Sequence, residues 1–476
     1  MKTLKFLIAS SAAMACAVSA FAAKSLTNEI YITGSTAFRA GAVAAIIDSL
    51  NSPLGAYPSG GSINGGQAII GGTLKSGPGA GDQVYYVLAW AGSLSGLQAV
   101  GIGEVPPSYT SAGVLTTAFP ANQNWLAPSN IIGLTGANLT AAAVSVSSSS
   151  GIPVASGGLS LSSPAWDTDG SNPDAAFSDV FKGSTKYNYS ALKGFDLSDG
   201  EVGVIPFVWV KGPPGAGVSA AAWNRFTNLS QGAAFALITN GSLTLNQLTG
   251  NSSDSGITVV LNGRNLDSGT RFGTFAETQF GEVNAPQQYP FTAGGTSSLY
   301  LDSVGAEFAA AGGNTSGGNI TGALKLPPDF NSQGGTNSFG PIIGIAALGI
   351  SDAKTVVTYT GGGLFNDGNT ATTVTGSTWI PGNTVSYSGV AAPLLVGSTF
   401  DIQLTQLGPA IETGSYTFWE YEHVYYNSTT VGSGIADVLN GIKLMSNTIV
   451  STDATAAGLL LGSMVATRTD EFSPVF

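Results

Sequence analysis

Residues 29–36 read Glu-Ile-Tyr-Ile-Thr-Gly-Ser-Thr, and they decide the fold of the first part of this chain. The first five residues indicate a short strand, which the Gly-Ser-Thr tripeptide ends. Apolar residues then recur at helical spacing, at Val43, Ile46, Ile47 and Leu50. The stretch therefore predicts a strand, a tight turn and an amphipathic helix in direct succession.

The alternation of strands and helices continues along the chain. Further strands are predicted at 84–90, 202–210, 257–261 and 341–349, and helices at 223–238, from about 272 and at 435–445. Stretches rich in Gly, Ser, Thr, Ala or Asn interrupt this pattern at 105–165, 281–340 and 355–400, and we interpret them as insertions. Strands separated by helical segments predict an α/β fold with β-rich insertions laid on it.

The composition excludes several classes of protein. Charged residues make up 9% of the 476 residues, whereas an average soluble domain has roughly 25%. A net charge of −12 and the lack of a basic run argue against nucleic acid as a partner. One histidine, His423, and one cysteine, Cys16, exclude a multi-histidine metal site, a thiolate cluster and an intrachain disulfide. We expect neither a metal nor a cofactor.

The first 22 residues have the organisation of a secretory signal peptide. A basic start, an apolar run and an Ala-Phe-Ala cleavage site follow one another at Lys2 and Lys5, 6–18 and 20–22. Cleavage before Ala23 removes both lysines and leaves 14 basic against 28 acidic residues, a net charge of −14. Lipid attachment at Cys16 is the alternative. No later segment reaches the roughly 18 apolar residues of a membrane helix, so we expect a periplasmic or extracellular protein.

The turn at 34–36 is the first candidate anion site. The amides of a first helical turn, together with the Ser35 and Thr36 hydroxyls, can bind an anion without a formal charge. Gly-Ser-Thr also occurs at 183–185, 376–378 and 397–399, but the first copy stands out because it lies between a strand and an amphipathic helix. The alternative is plain capping of that helix.

A second candidate, Ser-Gly-Thr at 268–270, also follows a predicted strand, and Arg264 stands four residues before it. Arginine offers a planar fork of donors that can hold two oxygens of one oxyanion, and glycine lets the backbone approach the ligand. A tetrahedral oxyanion is therefore the natural ligand. Alternatively, Arg264 pairs with Asp267 or another carboxylate and the turn merely caps a helix. Residues 92–96, Gly-Ser-Leu-Ser-Gly, are either a third such turn or a simple loop.

Asp179 suits an anion site if the anion carries a proton. A carboxylate can accept a hydrogen bond from HPO4²⁻ or H2PO4⁻. Sulfate at neutral pH has no proton to give and would leave two anions facing each other away from water, which is costly. Asp179 would then set the specificity of the site. The alternative is that Asp179 is a helix N-cap.

Nothing in the sequence points to an enzyme. It has no Gly-x-Ser-x-Gly, no Gly-x-x-x-x-Gly-Lys and no histidine pair for a metal. Two acidic pairs, Glu420 with Glu422 and Asp167 with Asp169, could in principle cleave glycosides, because residues two apart on a strand share a face at about 6–7 Å. Solvated or structural carboxylates, and a structural His423, are the simpler interpretation.

Four elements occur in a meaningful order: Ile-Thr-Gly-Ser-Thr at 32–36, Gly-Ser at 92–93, Phe-Ser-Asp-Val at 177–180 and Arg-x-x-x-Ser-Gly-Thr at 264–270. In that order they resemble the phosphate-binding proteins that serve ABC transporters, members of the type 2 periplasmic binding-protein superfamily. Residues 344–353 and the aromatic stretch from Tyr416 add weaker likenesses. One departure is Leu266, which stands where that family has an acidic residue, with Asp267 one position later.

The resemblance implies a set of ligand-binding residues. The turn at Ser35, Thr36 and Ala37 would hold ligand oxygens, Ser93 would donate its hydroxyl, and Asp179 would accept the ligand proton. Arg264 would be the charged clamp, and Ser268, Gly269 and Thr270 would form the second anion turn.

The resemblance also implies two α/β lobes that close on the anion. After a signal peptide at 1–22, lobe 1 would comprise 23–210, with its insertion at 105–165, plus 401–476. Lobe 2 would comprise 211–400, with insertions at 281–340 and 355–400. The expected function is non-enzymatic capture of inorganic phosphate, or a related oxyanion, for an inner-membrane ABC transporter. Two other hypotheses are a surface or structural protein that keeps the fold without transport and, more remotely, a secreted hydrolase.

Overall fold

The structure is a computed structural model that describes most of the chain in separate ranges. The described residues are 29–51, 55–58, 65–102, 107–109, 115–118, 173–194, 198–215, 217–281, 286–289, 291–294, 298–301, 313–325, 341–357, 363–366, 371–374, 384–396, 399–401, 403–429, 431 and 436–476. The signal peptide predicted at 1–22, Cys16, the Asp167 and Asp169 pair, and most of the insertion at 105–165 lie outside them.

The described residues contain 21 strands. They are β1 (Glu29–Gly34), β2 (Gly55–Pro58), β3 (Gln67–Thr73), β4 (Gln83–Ala89), β5 (Pro107–Tyr109), β6 (Leu115–Ala118), β7 (Ala175–Ser178), β8 (Leu192–Gly194), β9 (Glu201–Lys211), β10 (Asn228–Leu229), β11 (Ser242–Thr244), β12 (Thr258–Leu261), β13 (Phe291–Gly294), β14 (Ser298–Leu301), β15 (Ile342–Gly349), β16 (Gly363–Asn366), β17 (Ala371–Val374), β18 (Thr384–Tyr387), β19 (Leu395–Val396), β20 (Thr399–Phe400) and β21 (Trp419–Asn427).

Ten α-helices accompany these strands within the described ranges. They are α1 (Arg39–Asp48), α2 (Ser93–Ile102), α3 (Ala220–Arg225), α4 (Gln231–Asn240), α5 (Leu245–Thr249), α6 (Gly269–Glu277), α7 (Gly317–Leu324), α8 (Ile350–Val357), α9 (Gly408–Glu412) and α10 (Ala436–Ser451). Among the described residues, no helix is both long enough and apolar enough to span a membrane.

Thirteen strands form one sheet, which contains two groups of parallel strands. The sheet order is β11-β12-β15-β9-β21-β7-β1-β4-β3-β2; in addition, β18 pairs with β9 and β10, and β8 pairs with β21. Strands β7, β1 and β4 are parallel to one another, and so are β12 and β15. Between the two groups lie β9 and β21, which are antiparallel to each other and to the strands beside them. The predicted α/β fold is confirmed.

The pairing register makes the carboxyl ends of the two parallel groups face each other. Gly349, the last residue of β15, pairs with Phe207 of β9. Ser178, the last residue of β7, pairs with His423, which pairs in turn with Glu201 of β9. The two edges therefore meet over residues 201–207 of β9, a span of about 20 Å along an extended strand. Ligand sites of α/β proteins lie at such carboxyl-terminal edges.

Burial follows this architecture. All eight residues of β15 and ten of the eleven of β9 are buried, as is typical of strands whose two faces are both covered. The Tyr86 hydroxyl on β4 donates to the Gly441 carbonyl of α10 (3.0 Å), so this helix is tied to the sheet. The predicted lobe boundaries near residues 210 and 400 stay a prediction.

The helix predicted at 223–238 is wrong in its bounds. The structure has α3 and α4 there, separated by the two-residue strand β10. The chain restarts a helix at Ser230, whose hydroxyl accepts a hydrogen bond from the Ala233 amide (3.2 Å). Serine is a strong N-cap residue, so this local signal outweighs the continuous apolar pattern.

Candidate functional site

Three of the predicted site residues follow the carboxyl ends of three neighbouring strands. Ser35 comes directly after β1, Ser93 follows β4 at the start of α2, and Asp179 comes directly after β7. Because these strands are parallel and adjacent in the sheet, their carboxyl ends lie side by side. All three side chains are at most 1% exposed. The strand order thus gathers residues that are far apart in the sequence.

The turn after β1 packs tightly against β7. The Ser35 amide donates to the Phe177 carbonyl (2.9 Å), and Gly34 has a φ of 112°, a conformation that favours glycine. The Ser35 hydroxyl accepts from the Phe38 amide (3.3 Å). Phe38, not Ser35, is the N-cap residue of α1, and it makes no side-chain cap. Ser35 therefore caps the turn that precedes α1, while the helix itself starts after Phe38.

Ser93 and Asp179 form a buried pair. The Ser93 hydroxyl donates to Oδ1 of Asp179 and accepts from the Asp179 amide (3.4 Å). Burial raises the pKa of Asp179 to about 6, against the opposing effects of the Ser93 bond and the Arg264 charge. Asp179 does not cap a helix, because the next helical turn, Lys182–Ser184, has Phe181 as its N-cap residue. The carboxyl group is thus free of a capping role.

The 268–270 turn lies against this pair from the opposite group of strands. A Cβ built on Gly269 would overlap Asp179 Oδ1 and come within 2.7 Å of Ser93 Oγ. The Leu94 amide donates to the Asp267 carbonyl (3.1 Å). The two turns therefore touch through backbone.

Ser268 is also the N-cap residue of α6. Its hydroxyl accepts from the Arg271 amide (3.2 Å), so the capping interpretation holds for this residue. Thr270 is 3% exposed and lines a cavity of about 30 Å³ together with Arg264 and Arg271. A volume of this size corresponds to about one water molecule.

Arg264 follows β12 and reaches across to the turn after β1. Its guanidinium donates from Nε to the Asn314 carbonyl (3.2 Å) and from Nη2 to the Thr315 carbonyl (3.4 Å) and Thr36 Oγ1 (3.4 Å). Burial lowers the pKa of Arg264, while Asp352 and Asp179 oppose this shift.

These contacts of the Arg264 guanidinium are with neutral oxygens. The Asp267 carboxylate, its suggested partner, instead accepts from the Asn265 side-chain amide (3.2 Å). The predicted alternative, in which Arg264 pairs with Asp267, is therefore not what the hydrogen bonds show. Ala37, beside Thr36, lies against Gly349 at the end of β15.

Two charged residues near Arg264 were missed by the sequence analysis. Asp352 in the first turn of α8 is 6% exposed, and burial raises its pKa against the opposing charges of Arg39 and Arg264. Arg39 is the first residue of α1, directly after the 35–37 turn. Charged residues are scarce in this chain, and Arg39 is one of its few basic residues. This scarcity could have marked Arg39 as a candidate site residue.

Glu420 and Glu422 are buried, so they are not solvated carboxylates, and of the two simpler interpretations the structural one remains. They are 1% and 0% exposed on β21, and burial, reinforced by Asp179, raises the pKa of both well above its usual value. Glu420 lies against Gly273 of α6. No group of three or more His, Cys, Asp or Glu residues in the described ranges could hold a metal ion.

His423 has the surroundings of a structural residue. Its Nδ1 lies 3.1 Å from the Asp199 carbonyl, and its ring stacks on Tyr425. Burial lowers the pKa of His423 to about 4, so the ring is neutral at physiological pH. Within the described ranges, the hydrogen bond and ring contacts of the His423 side chain are with Asp199, Phe181 and Tyr425.

Comparisons with known proteins find structural likenesses. Neither the protein-family models nor the curated protein sequences contain a match. Similar solved structures include a protein from Clostridium perfringens described as the substrate-binding protein of a phosphate ABC transporter, with bound phosphate (12% identity, 90% of this chain and 94% of that chain, TM-score 0.38). An ABC-type phosphate transport receptor from Vibrio cholerae shares 10% identity over 89% and 96% of the two chains (TM-score 0.34).

A third similar structure is a possible phosphate binding protein from Planctomyces limnophilus, with 9% identity over 92% and 95% of the two chains and a TM-score of 0.34.

Proposed function

We propose that this chain is a solute-binding protein that captures inorganic phosphate, or a related tetrahedral oxyanion, for uptake by an ABC transporter. The observation that carries the proposal is the contact between Gly269 and the Ser93–Asp179 pair. It joins two anion-binding turns from opposite groups of strands. The proposed ligand-binding residues are Ser35, Thr36, Ala37, Ser93, Asp179, Arg264, Ser268, Gly269 and Thr270.

The donors of this site suit a tetrahedral oxyanion. Backbone amides of two turns and five hydroxyl side chains supply neutral hydrogen bonds, and Arg264 supplies the positive charge. Since the mature chain would carry a net charge of −14, derived from 14 basic and 28 acidic residues, long-range electrostatics oppose an anion. Capture must therefore rest on these local donors.

The buried carboxyl group of Asp179 favours phosphate over sulfate as the ligand of this site. Its carboxyl group is buried and already holds one hydrogen bond from Ser93. A phosphate hydroxyl can donate a second one, whereas sulfate would place an unprotonated oxygen against it. Leaving two buried acceptors face to face costs about 1–3 kcal/mol or more.

The sheet register supports closure of two lobes on the anion. Contacts between the two groups of strands, such as Thr36 with Arg264 (3.4 Å) and Leu94 with Asp267 (3.1 Å), lie beside the proposed site. In the sheet order β9 and β21 lie between the two groups, and the chain passes from one proposed lobe to the other at the end of β9. In this proposal lobe 1 is 23–210 plus 401–476, and lobe 2 is 211–400.

Export is part of the proposal. A signal peptide at 1–22 would deliver the protein to the periplasm or the exterior, where a transporter-linked binding protein works. N-terminal sequencing of the exported protein is expected to start at Ala23. A lipid-modified Cys16, or a chain that keeps Met1, would contradict this assignment.

Isothermal titration calorimetry with phosphate, sulfate and molybdate tests the binding function. We expect phosphate to bind and sulfate to bind much more weakly. Absence of heat for every oxyanion would contradict the proposal and favour a structural protein that keeps the fold. Equal affinity for phosphate and sulfate would remove Asp179 from its role.

A further inference from the structure

Glu422 is a buried carboxyl group next to the proposed anion site. It is 0% exposed, and neither of its oxygens makes a hydrogen bond of normal geometry within the described part of the chain. The groups around it include the Asp179 carboxyl, the Ser35 hydroxyl and the Glu420 carboxyl. Buried polar groups are nearly always satisfied, so this side chain calls for an explanation.

Charge considerations favour the protonated form of Glu422. Its neighbours Asp179 and Glu420 are also carboxyl groups, and both are at most 1% exposed. Ionising two adjacent carboxyl groups away from water costs several kcal/mol unless each is paired with a cation. Consistent with this, burial and the Asp179 charge raise the pKa of Glu422 well above the ordinary range. Burial and the neighbouring carboxyl groups therefore favour the carboxylic acid form of Glu422, which has a proton to donate.

The Ser35 hydroxyl connects Glu422 to the ligand. A hydroxyl has two lone pairs and one proton, and the Phe38 amide already donates to Ser35 Oγ (3.3 Å). If Glu422 donates its proton to the second lone pair, the Ser35 proton must point to another acceptor. If Glu422 is ionised, its carboxylate accepts the Ser35 proton instead. The state of Glu422 thus sets the direction of the Ser35 hydroxyl.

We propose that Glu422, as a carboxylic acid, is a positioning residue that turns the Ser35 hydroxyl proton toward the bound oxyanion. The inference rests on the proposed function, since it assumes an anion at the 35–37 turn. It adds a residue to the site that neither the sequence pattern nor the resemblance indicated in this role. Anion binding then depends on the proton of Glu422 as well as on the proton of the ligand.

The other charged groups near Glu422 come from each of the elements that pack around it. On β21 the neighbours are Glu420 and the neutral His423, and on β9 Glu201 pairs with His423. Asp179 comes from the end of β7, and Arg264 acts on it from beyond β12. From the C-terminal segment, Arg468 and Glu471 act on Glu420. Of these groups, Asp179 acts directly on Glu422.

The test compares phosphate affinity across pH 6–10 in wild type and Glu422→Gln. Glutamine keeps the shape and donates an N–H at every pH, so it mimics the protonated acid. Phosphate and Asp179 titrate in both proteins, so their effects largely cancel in the ratio of the wild-type to the variant dissociation constant. We expect the wild-type constant to rise relative to that of the variant by up to about tenfold per pH unit once Glu422 ionises. A ratio that stays flat would overturn the inference.

Ser35→Ala provides the matched background. The dissociation constants of Ser35→Ala and Ser35→Ala/Glu422→Gln are compared in the same way. Their ratio is expected to stay constant with pH, because Glu422 then has no hydroxyl to direct. A pH-dependent ratio of the same size in this background would show that Glu422 acts through its charge alone, and would overturn the positioning role.

A second measurement avoids any change at residue 422. Calorimetry at pH 9 in buffers of different ionisation enthalpy counts the protons taken up on phosphate binding. Wild type is expected to take up more protons than Ser35→Ala, by up to about one, and equal uptake would overturn the inference. Wild type that binds no phosphate at any pH would overturn the proposed function and this inference together. Binding with a flat ratio would overturn the inference alone.

Discussion

Gly269, the first residue of α6, lies directly against the carboxyl group of Asp179, which follows β7 in the opposite group of parallel strands. The absence of a side chain at Gly269 lets the backbone of one turn meet the buried Ser93–Asp179 pair. The same contact places the start of α6 beside the position proposed for the anion. Several consequences of this arrangement can be measured.

Gly269→Ala is expected to weaken phosphate binding by at least about tenfold. The new methyl group would overlap Asp179 Oδ1, and relief of such overpacking costs typically 1–3 kcal/mol. Calorimetry measures the affinity. Gly232→Ala is the matched control, because Gly232 is an exposed helical glycine with no heavy atom within 4 Å of the added Cβ. Equal affinities of the two variants would show that the Gly269 contact is unimportant for binding.

Arg264→Lys is expected to reduce phosphate affinity by about 10–100-fold. Lysine keeps the charge but loses the planar fork that holds two oxygens of one anion. Arg225→Lys is the control, since Arg225 donates to Asp254 through Nε (3.1 Å) and Nη2, outside the proposed site. The control should lose stability and keep its affinity. Unchanged binding in Arg264→Lys would mean that this arginine is structural.

Asp179→Asn is expected to relax the discrimination against sulfate. The asparagine amide can donate to a sulfate oxygen, so the cost of two facing acceptors disappears. We expect the phosphate-to-sulfate affinity ratio to fall by about tenfold or more. Competitive titration of both anions measures this ratio, and a ratio equal to that of wild type would contradict the protonation argument.

Asp179 should also make the protein less stable as the pH rises from about 4 to 6. Its pKa is raised from 3.8 to about 6 in the folded protein, so the folded state binds this proton more tightly than the unfolded state. The free energy of unfolding then falls by up to ~1.4 kcal/mol per pH unit across this window and is constant for this group outside it. Chemical denaturation between pH 3 and 8 should show a shallower fall in Asp179→Asn. Parallel curves for the two proteins would refute this attribution.

Local patterns predicted the elements around the site, and long-range packing did not follow from them. The strand and turn at 29–36 and the strand at 202–210 were predicted because apolar runs and glycine turns are local signals. The helix at 223–238 was wrong because the Ser230 cap interrupts it.

Partners distant in sequence could not be predicted in the same way. Asp352 became part of the site through the pairing of β15 with β9, which nothing near residue 352 encodes. Glu422 was recognised as one of an acidic pair, but its burial depends on the strands on both sides of β21. Such relations arise from sheet order, and a single sequence carries no local trace of it.

A crystal structure of the protein grown with phosphate tests the central claim most directly. The claim predicts one phosphate between the two groups of strands, within hydrogen-bond distance of Ser35 and Arg264, with one phosphate oxygen within hydrogen-bond distance of an Asp179 carboxyl oxygen. Phosphate bound elsewhere, or electron density at this position only for water, would contradict it.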